Sequence, residues 1–346
     1  MSEPMTFAVA GYGAWGRCHA RAIADARDGR LVAIAAPSDV SAREAMRDFP
    51  EAAIHRDWQS LIADSAIEAI AVVTPNHLHA PIAVAALAAG KHVLLEKPMA
   101  VTLADCDRII AGARRSPAQL TVGLQCRLSP QWGRIRALID EGAIGRPRHV
   151  HIALFRHPHR QGSGGWRYDK ARVGSWILEE PVHFFDLALW YLAASGTPVA
   201  ISALGVGERG MEPVLSVIMR FADGASAAIS QVLSGFEHHQ TVEVVGERGA
   251  VRATWSAATA RSPEAATTLR LKRAGADDFQ ELALEKSGEI YELAKQAEAT
   301  IAAFRCGRSL VSAEEARGSV ALCLAAEASA KERGAPMTLD LARTNR

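Results

Sequence analysis

The sequence predicts an α/β protein of two domains, a doubly wound parallel sheet followed by an α/β domain built on a large, mostly antiparallel sheet. Three observations carry this. The chain has 346 residues, more than a single hydrophobic core usually fills. Up to about residue 122, short β-type runs alternate with Ala-rich stretches of helical period, the rhythm of βαβ units. Farther on, long β-type runs follow one another with no helix between them, which indicates antiparallel pairing. The expected domains are residues 1–124 and 125–346.

In order, the first domain reads as strand 6–10, helix 15–26, strand 31–35, helix 41–49, strand 69–73, helix 79–89, strand 92–95, helix 103–115 and strand 120–122. Strands separated by helices favour a parallel sheet covered on both faces. The second domain reads as helix 130–141, strand 147–155, a Gly-rich loop at 161–165 and helix 181–194. Strands 200–206, 214–221, 226–234, 241–246, 250–254 and 267–272 follow, with turn signals such as Asp223-Gly224 between them. Two helical stretches, 289–306 and 313–332, close the chain and are expected to pack back on the first domain.

Composition narrows the function classes. Hydrophobic residues make up 49% and charged residues 22%, the balance of an ordinary globular protein. With 39 basic and 38 acidic side chains the formal charge is +1, so no global field draws in nucleic acid or an anionic membrane. Five cysteines with no CxxC pair fit reduced thiols, which predicts a cytoplasmic location. The N-terminal apolar stretch runs straight into a glycine-rich turn with no basic segment before it, so it reads as a strand rather than a signal peptide. No apolar run approaches the ~20 residues that a membrane-spanning helix requires. His149, His151, His157 and His159 form HxH pairs, but no carboxylate or cysteine completes a ligand set, so no metal is expected.

Gly11, Gly13 and Gly16 form GxGxxG between the first strand and the first helix. In that context the first glycine permits the tight turn, the second lets the backbone approach a pyrophosphate, and the third lets helix and strand pack closely. The N-terminal domain therefore reads as a Rossmann dinucleotide-binding domain, with Ala14 and Trp15 also among the cofactor contacts. An NAD-preferring site usually carries Asp or Glu at the end of the second strand. Ala36 stands there instead, with Ser38 and Arg43 close behind, so the expected cofactor is NADP, or NAD.

The segment Thr74-Pro75-Asn76-His77-Leu78-His79, followed by Ala89-Gly90-Lys91-His92-Val93-Leu94-Leu95-Glu96-Lys97-Pro98, resembles the glucose-fructose oxidoreductase and inositol dehydrogenase (Gfo/Idh/MocA) family. The resemblance continues through Val122-Gly123, Arg127, Gly165-Trp166-Arg167 and the stretch from Gly174 to Asp186. It implies a second domain with an open-faced sheet. It also implies an oxidoreductase that moves a hydride between nicotinamide and a hydroxyl or carbonyl of a sugar, polyol or cyclitol-like substrate. Thr74, Pro75, Asn76, His79 and Glu96 then line the cofactor, and Lys97 lies beside both nicotinamide and substrate. An ammonium suits that place, because it stabilises the alkoxide-like oxygen that forms as hydride leaves.

The family's second signature places His183 and Asp186 in frame, with Glu179 where the family has Asp and Pro181 where it has Gly. Pro181 suits a helix's first turn. His183 then lies near a helix N-terminus, where the dipole favours a neutral imidazole able to accept a hydroxyl proton. Lys97, His183 and Glu179 are the expected catalytic residues, and Arg127, Trp166 and Arg167 join Lys97 and His183 around the substrate. Asp186 reads as a helix tether.

Arg156, Arg160, Arg167 and Arg172 crowd one region and suggest an anionic group on the substrate. An open sheet must cover its outer face, which predicts a homo-oligomer, a dimer or tetramer, packed through it. Two other readings share the cofactor site: a reductase of another C=O, C=C or C=N compound, and a non-catalytic dinucleotide sensor.

Overall fold

The computed structural model describes residues 3–339 apart from Arg209, Ser234 and Phe236. The chain begins with β1 (Met5–Ala10), α1 (Ala14–Asp25), β2 (Gly29–Ala35), α2 (Asp39–Asp48), β3 (Ala53–His55), α3 (Gln59–Ala63), β4 (Ala69–Val72), α4 (His79–Ala88), β5 (His92–Glu96), α5 (Leu103–Arg115) and β6 (Leu120–Gly123). Next come α6 (Trp132–Asp140), β7 (Pro147–Phe155), α7 (Lys170–Val173), α8 (Trp176–Glu179) and α9 (Val182–Tyr191). The strands β8 (Pro198–Glu208), β9 (Met211–Phe221), β10 (Ser226–Val232), β11 (His238–Gly246), β12 (Gly249–Ala257), β13 (Ala266–Arg273) and β14 (Gln280–Glu281) follow. The chain closes with α10 (Glu289–Arg305), α11 (Ala313–Lys331) and β15 (Met337–Thr338).

Two compact units form. One holds the chain up to Leu124 together with Gln161–Gly174 and Leu293–Val320. The other holds Gln125–Arg160, Ser175–Glu292 and the described residues from Ala321 onward. A single cut after residue 124 therefore misses two later segments of the first unit. The physical reason lies in α10, whose Ala297, Ile301 and Phe304 are buried in the same core as Phe7, Val9 and Ile23.

The first unit is built on a parallel sheet of order β3-β2-β1-β4-β5-β6. The order reverses between β1 and β4, and ligands of such sheets bind beyond the strand carboxyl ends at that point. β1 and β4 are buried along their whole length, as their apolar runs require. Ser38 caps α2 and Thr102 caps α5, each by accepting a backbone N–H three residues on.

The second unit carries a nine-stranded sheet of order β14-β13-β12-β11-β7-β10-β9-β8-β15. Every neighbouring pair is antiparallel except β7 with β10. Consecutive strands β10 and β11 are thus separated by β7, an arrangement that no run of hairpins reveals. Alternate residues of β7 and β10, among them Ile152, Leu154, Ala227 and Ile229, form a buried inner face. On the outer face of β8 and β9, Leu204, Val206 and Ile218 are 61%, 65% and 63% exposed. β3, β14 and β15 are two or three residues long and escape any periodicity. Ser234, the end of the strand expected at 226–234, lies outside the described residues.

Candidate active site

In the first unit the turn from β1 to α1 has the shape that its glycines dictate. Gly11 has φ +103, and a Cβ there would lie 2.4 Å from the Val73 carbonyl oxygen. A Cβ at Gly16 would lie 2.0 Å from the Gly11 oxygen. Both glycines are therefore required by packing. Gly13 is different: a Cβ there would meet only Ser163 Oγ, at 3.9 Å. Gly13 is the N-cap of α1 and supplies no side-chain cap, so an anion can approach the first-turn N–H groups of the helix, Ala14 and Trp15 among them.

The turns after β4 and β5 are tied together by His79. Its ring nitrogens lie 2.7 Å from Pro98 O and 2.9 Å from Thr74 O, in a residue 1% exposed. Asn76, also buried, donates from Nδ2 to Val173 O at 2.9 Å. His79 and Asn76 thus direct these side-chain atoms at backbone carbonyls and shape the turn around Pro75. Thr74 Oγ1 is buried and has no hydrogen-bond partner among the described residues. A buried hydroxyl of that kind needs a partner, and a dinucleotide lying along the turn fits the requirement.

Lys97 follows the last residue of β5 and is half-buried. Behind it, Glu96 is 3% exposed and accepts the Lys97 N–H at Oε2, 3.2 Å away. His19, on the buried side of α1, places Nε2 2.8 Å from Glu96 Oε1. Burial pushes the Glu96 carboxyl up, but the hydrogen bond and charge of His19, the charge of Lys97 and the Trp15 indole N–H outweigh it and hold the group below the ordinary carboxylate range. Sequence reasoning missed His19, because an isolated helix histidine reads as core. The signal available was its place three residues after Gly16, on the face that α1 buries.

At the end of β2, Ala36 is fully buried. Ser38 Oγ lies 2.8 Å from Ser41 Oγ and accepts the Ser41 N–H in a capping box, so the hydroxyl expected to meet a 2′-phosphate already serves the helix. Arg43 is exposed. Asp39, which the sequence reading did not weigh, pairs with Arg56 at 2.8 Å. The turn from Ser163 to Tyr168 carries Trp166 and Arg167, whose guanidinium lies 4.5 Å from the indole centroid.

In the second unit, α9 begins directly after Pro181, its N-cap. His183 falls in the first turn and is 6% exposed, and Glu179, the last residue of α8, is 5% exposed. Asp186, one turn beyond His183, accepts Arg127 Nε at 2.8 Å and Nη2 at 2.7 Å. The same guanidinium lies 5.5 Å from the Trp190 ring centroid. Arg127 is thereby engaged on both its edge and its face, and this bidentate pair fixes the rotation of α9. Arg156 is paired with Glu180 at 3.0 Å. In the first unit Arg172 donates to Gly164 O at 3.1 Å, so the arginines read as a cationic cluster are already met by protein groups at these positions.

A glycine turn opening on a helix N-terminus at the switch point of a parallel sheet is the dinucleotide-binding form of the Rossmann fold, and Lys97 stands at the carboxyl end of a strand of the same sheet. Residues 5–124 match the Gfo/Idh/MocA model described as an oxidoreductase family with an NAD-binding Rossmann fold, and residues 132–252 match the family's C-terminal domain. An inositol 2-dehydrogenase of Salmonella typhimurium is 30% identical over 254 residues, 70% of this chain and 71% of its own length. The chain belongs to the Gfo/Idh/MocA family.

A 1-carboxy-3-chloro-3,4-dihydroxycyclohexa-1,5-diene dehydrogenase of Comamonas testosteroni is 34% identical over 220 residues, 63% of this chain. The chain spans 54% of that relative's length, and 57% and 61% of two others. Among solved structures, a levoglucosan dehydrogenase in complex with NADH and levoglucosan superimposes with TM-score 0.83 at 22% identity, covering 97% of this chain and 99% of its own.

Proposed function

We propose that this protein is a dehydrogenase or reductase that moves a hydride between a nicotinamide dinucleotide and a hydroxyl or carbonyl of a sugar, polyol or cyclitol. The observation that carries the proposal is Lys97, half-buried beyond β5 with its backbone held by a buried carboxylate. Relatives named as inositol, levoglucosan and cyclohexadiene-diol dehydrogenases support the substrate class.

The turn at Gly11–Gly13–Gly16 and the N-terminus of α1 would hold the pyrophosphate, and Thr74, Pro75 and the Glu96–Lys97 corner would line the nicotinamide half. The bound nicotinamide supplies the hydride acceptor or donor. In the oxidative direction His183 takes the hydroxyl proton while the Lys97 ammonium stabilises the developing alkoxide. In the reductive direction His183 returns the proton. Glu179 supports these groups, Trp166 and Arg167 present an aromatic and a cationic surface to the substrate, and Arg127 acts through Asp186 by orienting α9. Both NAD and NADP are accepted, because no carboxylate stands at Ala36 and the exposed Asp39 carboxylate is turned to Arg56.

The open outer face of the second unit supports a homo-oligomer packed through it, and the free cysteines suit the reducing cytoplasm. The deciding experiment is titration of NAD and NADP onto the wild type and Lys97→Ala, then a turnover screen over sugars, polyols, cyclitols and hydroxy acids. Binding by both proteins, with turnover only in the wild type and dissociation constants for the two dinucleotides within about tenfold, is the expected result. Binding without turnover on any substrate would move the protein to the sensor class, and no binding would end the proposal.

A further inference from the structure

Glu96 is the most thoroughly enclosed carboxylate of the first unit, and every element around it contributes. α1 brings His19 Nε2 to 2.8 Å from Oε1 and supplies the Trp15 indole N–H. The Lys97 amide donates to Oε2. On β6, Gly123 pairs in register with Glu96, and a Cβ there would lie 2.9 Å from Glu96 Oε1 and 3.3 Å from Gln296 Nε2 of α10. The titratable groups that face the carboxylate are thus His19 and Lys97, and the uncharged ones are Trp15, Gly123 and Gln296. His19 itself is 1% exposed, with Trp15 set edge-on at 5.6 Å between ring centroids.

A buried His–Glu pair is poor value as a structural brace, since well-packed apolar residues hold helix and strand together without the desolvation cost of a charge. Its place, one residue from Lys97, suggests another use. We propose that His19 is a positioning residue for Lys97, acting through Glu96: the imidazole N–H holds one carboxylate oxygen while the other holds the Lys97 backbone. This rests on the dehydrogenase reading of Lys97.

The electrostatics follow from the geometry. With His19 in place the carboxylate keeps its charge in a dry setting, and an anion beside an amine favours the ammonium. Without the His19 donor, burial drives Glu96 toward its neutral acid, and Lys97 loses its adjacent anion. A cation deprived of an opposite charge gives up its proton at lower pH. The ammonium that must stabilise the alkoxide is then lost from the alkaline side of the activity profile.

The test compares the wild type with His19→Leu, which keeps the volume without a donor, His19→Gln, which keeps an N–H at the position of Nε2, and Glu96→Gln. Lysine titration is read by NMR after reductive methylation with labelled formaldehyde, the Lys97 signal being identified by its absence in Lys97→Arg. In His19→Leu and Glu96→Gln the Lys97 midpoint falls by about one pH unit or more, the size of effect that a neighbouring opposite charge exerts. The alkaline limb of kcat moves with it, while His19→Gln restores both toward wild type.

An unchanged Lys97 midpoint in a natively folded His19→Leu overturns the proposal. If that variant does not fold, an unchanged midpoint in Glu96→Gln overturns it equally. The titration needs neither cofactor nor substrate. Failure of the wild type to turn over any compound would therefore count against the dehydrogenase reading, while an unmoved midpoint would count against His19 alone.

Discussion

In the proposed reaction Lys97 and His183 do different things, and on that reading their substitutions should separate accordingly. Lys97→Ala removes a charge that matters as the alkoxide forms, so kcat should fall by roughly 10²- to 10³-fold while the dissociation constant for dinucleotide changes little. His183→Asn removes proton transfer and should cost on the order of 10²- to 10⁴-fold in kcat. Stopped-flow and equilibrium titration of the two variants check both. If dinucleotide binding collapsed together with kcat in Lys97→Ala, the residue would be structural. The place of Lys97 at the end of a parallel strand was legible because its motif is contiguous in the chain. His19 was not, because its meaning depends on a carboxylate 77 positions away, and no spacing rule in one sequence connects them.

Helix α9 and the start of α10 are anchored by buried polar groups, and this is where stability should respond. The Arg127–Asp186 pair, 12% and 1% exposed, ties α9 in the second unit. Asp186→Asn leaves a buried guanidinium without its counter-charge and should cost about 3 kcal/mol or more in urea denaturation. A loss below ~1 kcal/mol would show that the pair does not hold the helix. At the start of α10, Ser287 donates to Glu292 Oε1 at 3.4 Å, and Ser287 Oγ lies 3.0 Å from Ser129 Oγ, which in turn accepts the N–H of Trp132 at the start of α6. Burial pushes the Glu292 carboxyl up to about 7, against the lowering effect of the Ser129 hydrogen bond. Because the folded form then holds its proton more tightly than the unfolded chain, this group's contribution is fully present below its unfolded value near 4.5 and is lost as pH rises through about 7. The change amounts to ~3 kcal/mol. Glu292→Gln should flatten that decline, and a parallel pH–stability curve for the variant would refute the assignment. The long helices and strands around these groups were legible from periodicity. The groups themselves were not, since two serines 158 positions apart that bond each other beside a carboxylate leave no periodic trace.

For the molecule as a whole, the outer face of the nine-stranded sheet sets the expected assembly. Leu204, Val206 and Ile218 lie on neighbouring strands with Ser202 opposite Ile218 and Val206 opposite Val214, so they share one surface. Apolar side chains grouped in this way favour burial against a second copy. The double variant Leu204→Glu with Ile218→Glu should sediment as a monomer at concentrations where the wild type is a dimer or tetramer. A wild type that is monomeric at micromolar concentration would remove the expectation. The parallel and antiparallel sheets were both legible, because alternation with helices and its absence are written along the chain. The insertion of β7 between β10 and β11 was not, because strand order depends on pairings that local pattern does not encode.

The first unit is discontinuous in sequence: Ala297, Ile301 and Phe304 complete the core that Phe7 and Ile23 begin. During synthesis, a ribosome releasing residues 1–124 delivers six strands whose apolar floor still lacks its last helix, and that helix leaves the tunnel only when most of the chain is made. The unit is for the same reason a poor candidate for recombination. A gene fusion that transplants only the N-terminal stretch carries the glycine turn and Lys97 but not the side chains that close the core beneath them. For this chain, an exchange that keeps the core whole has to move both stretches together.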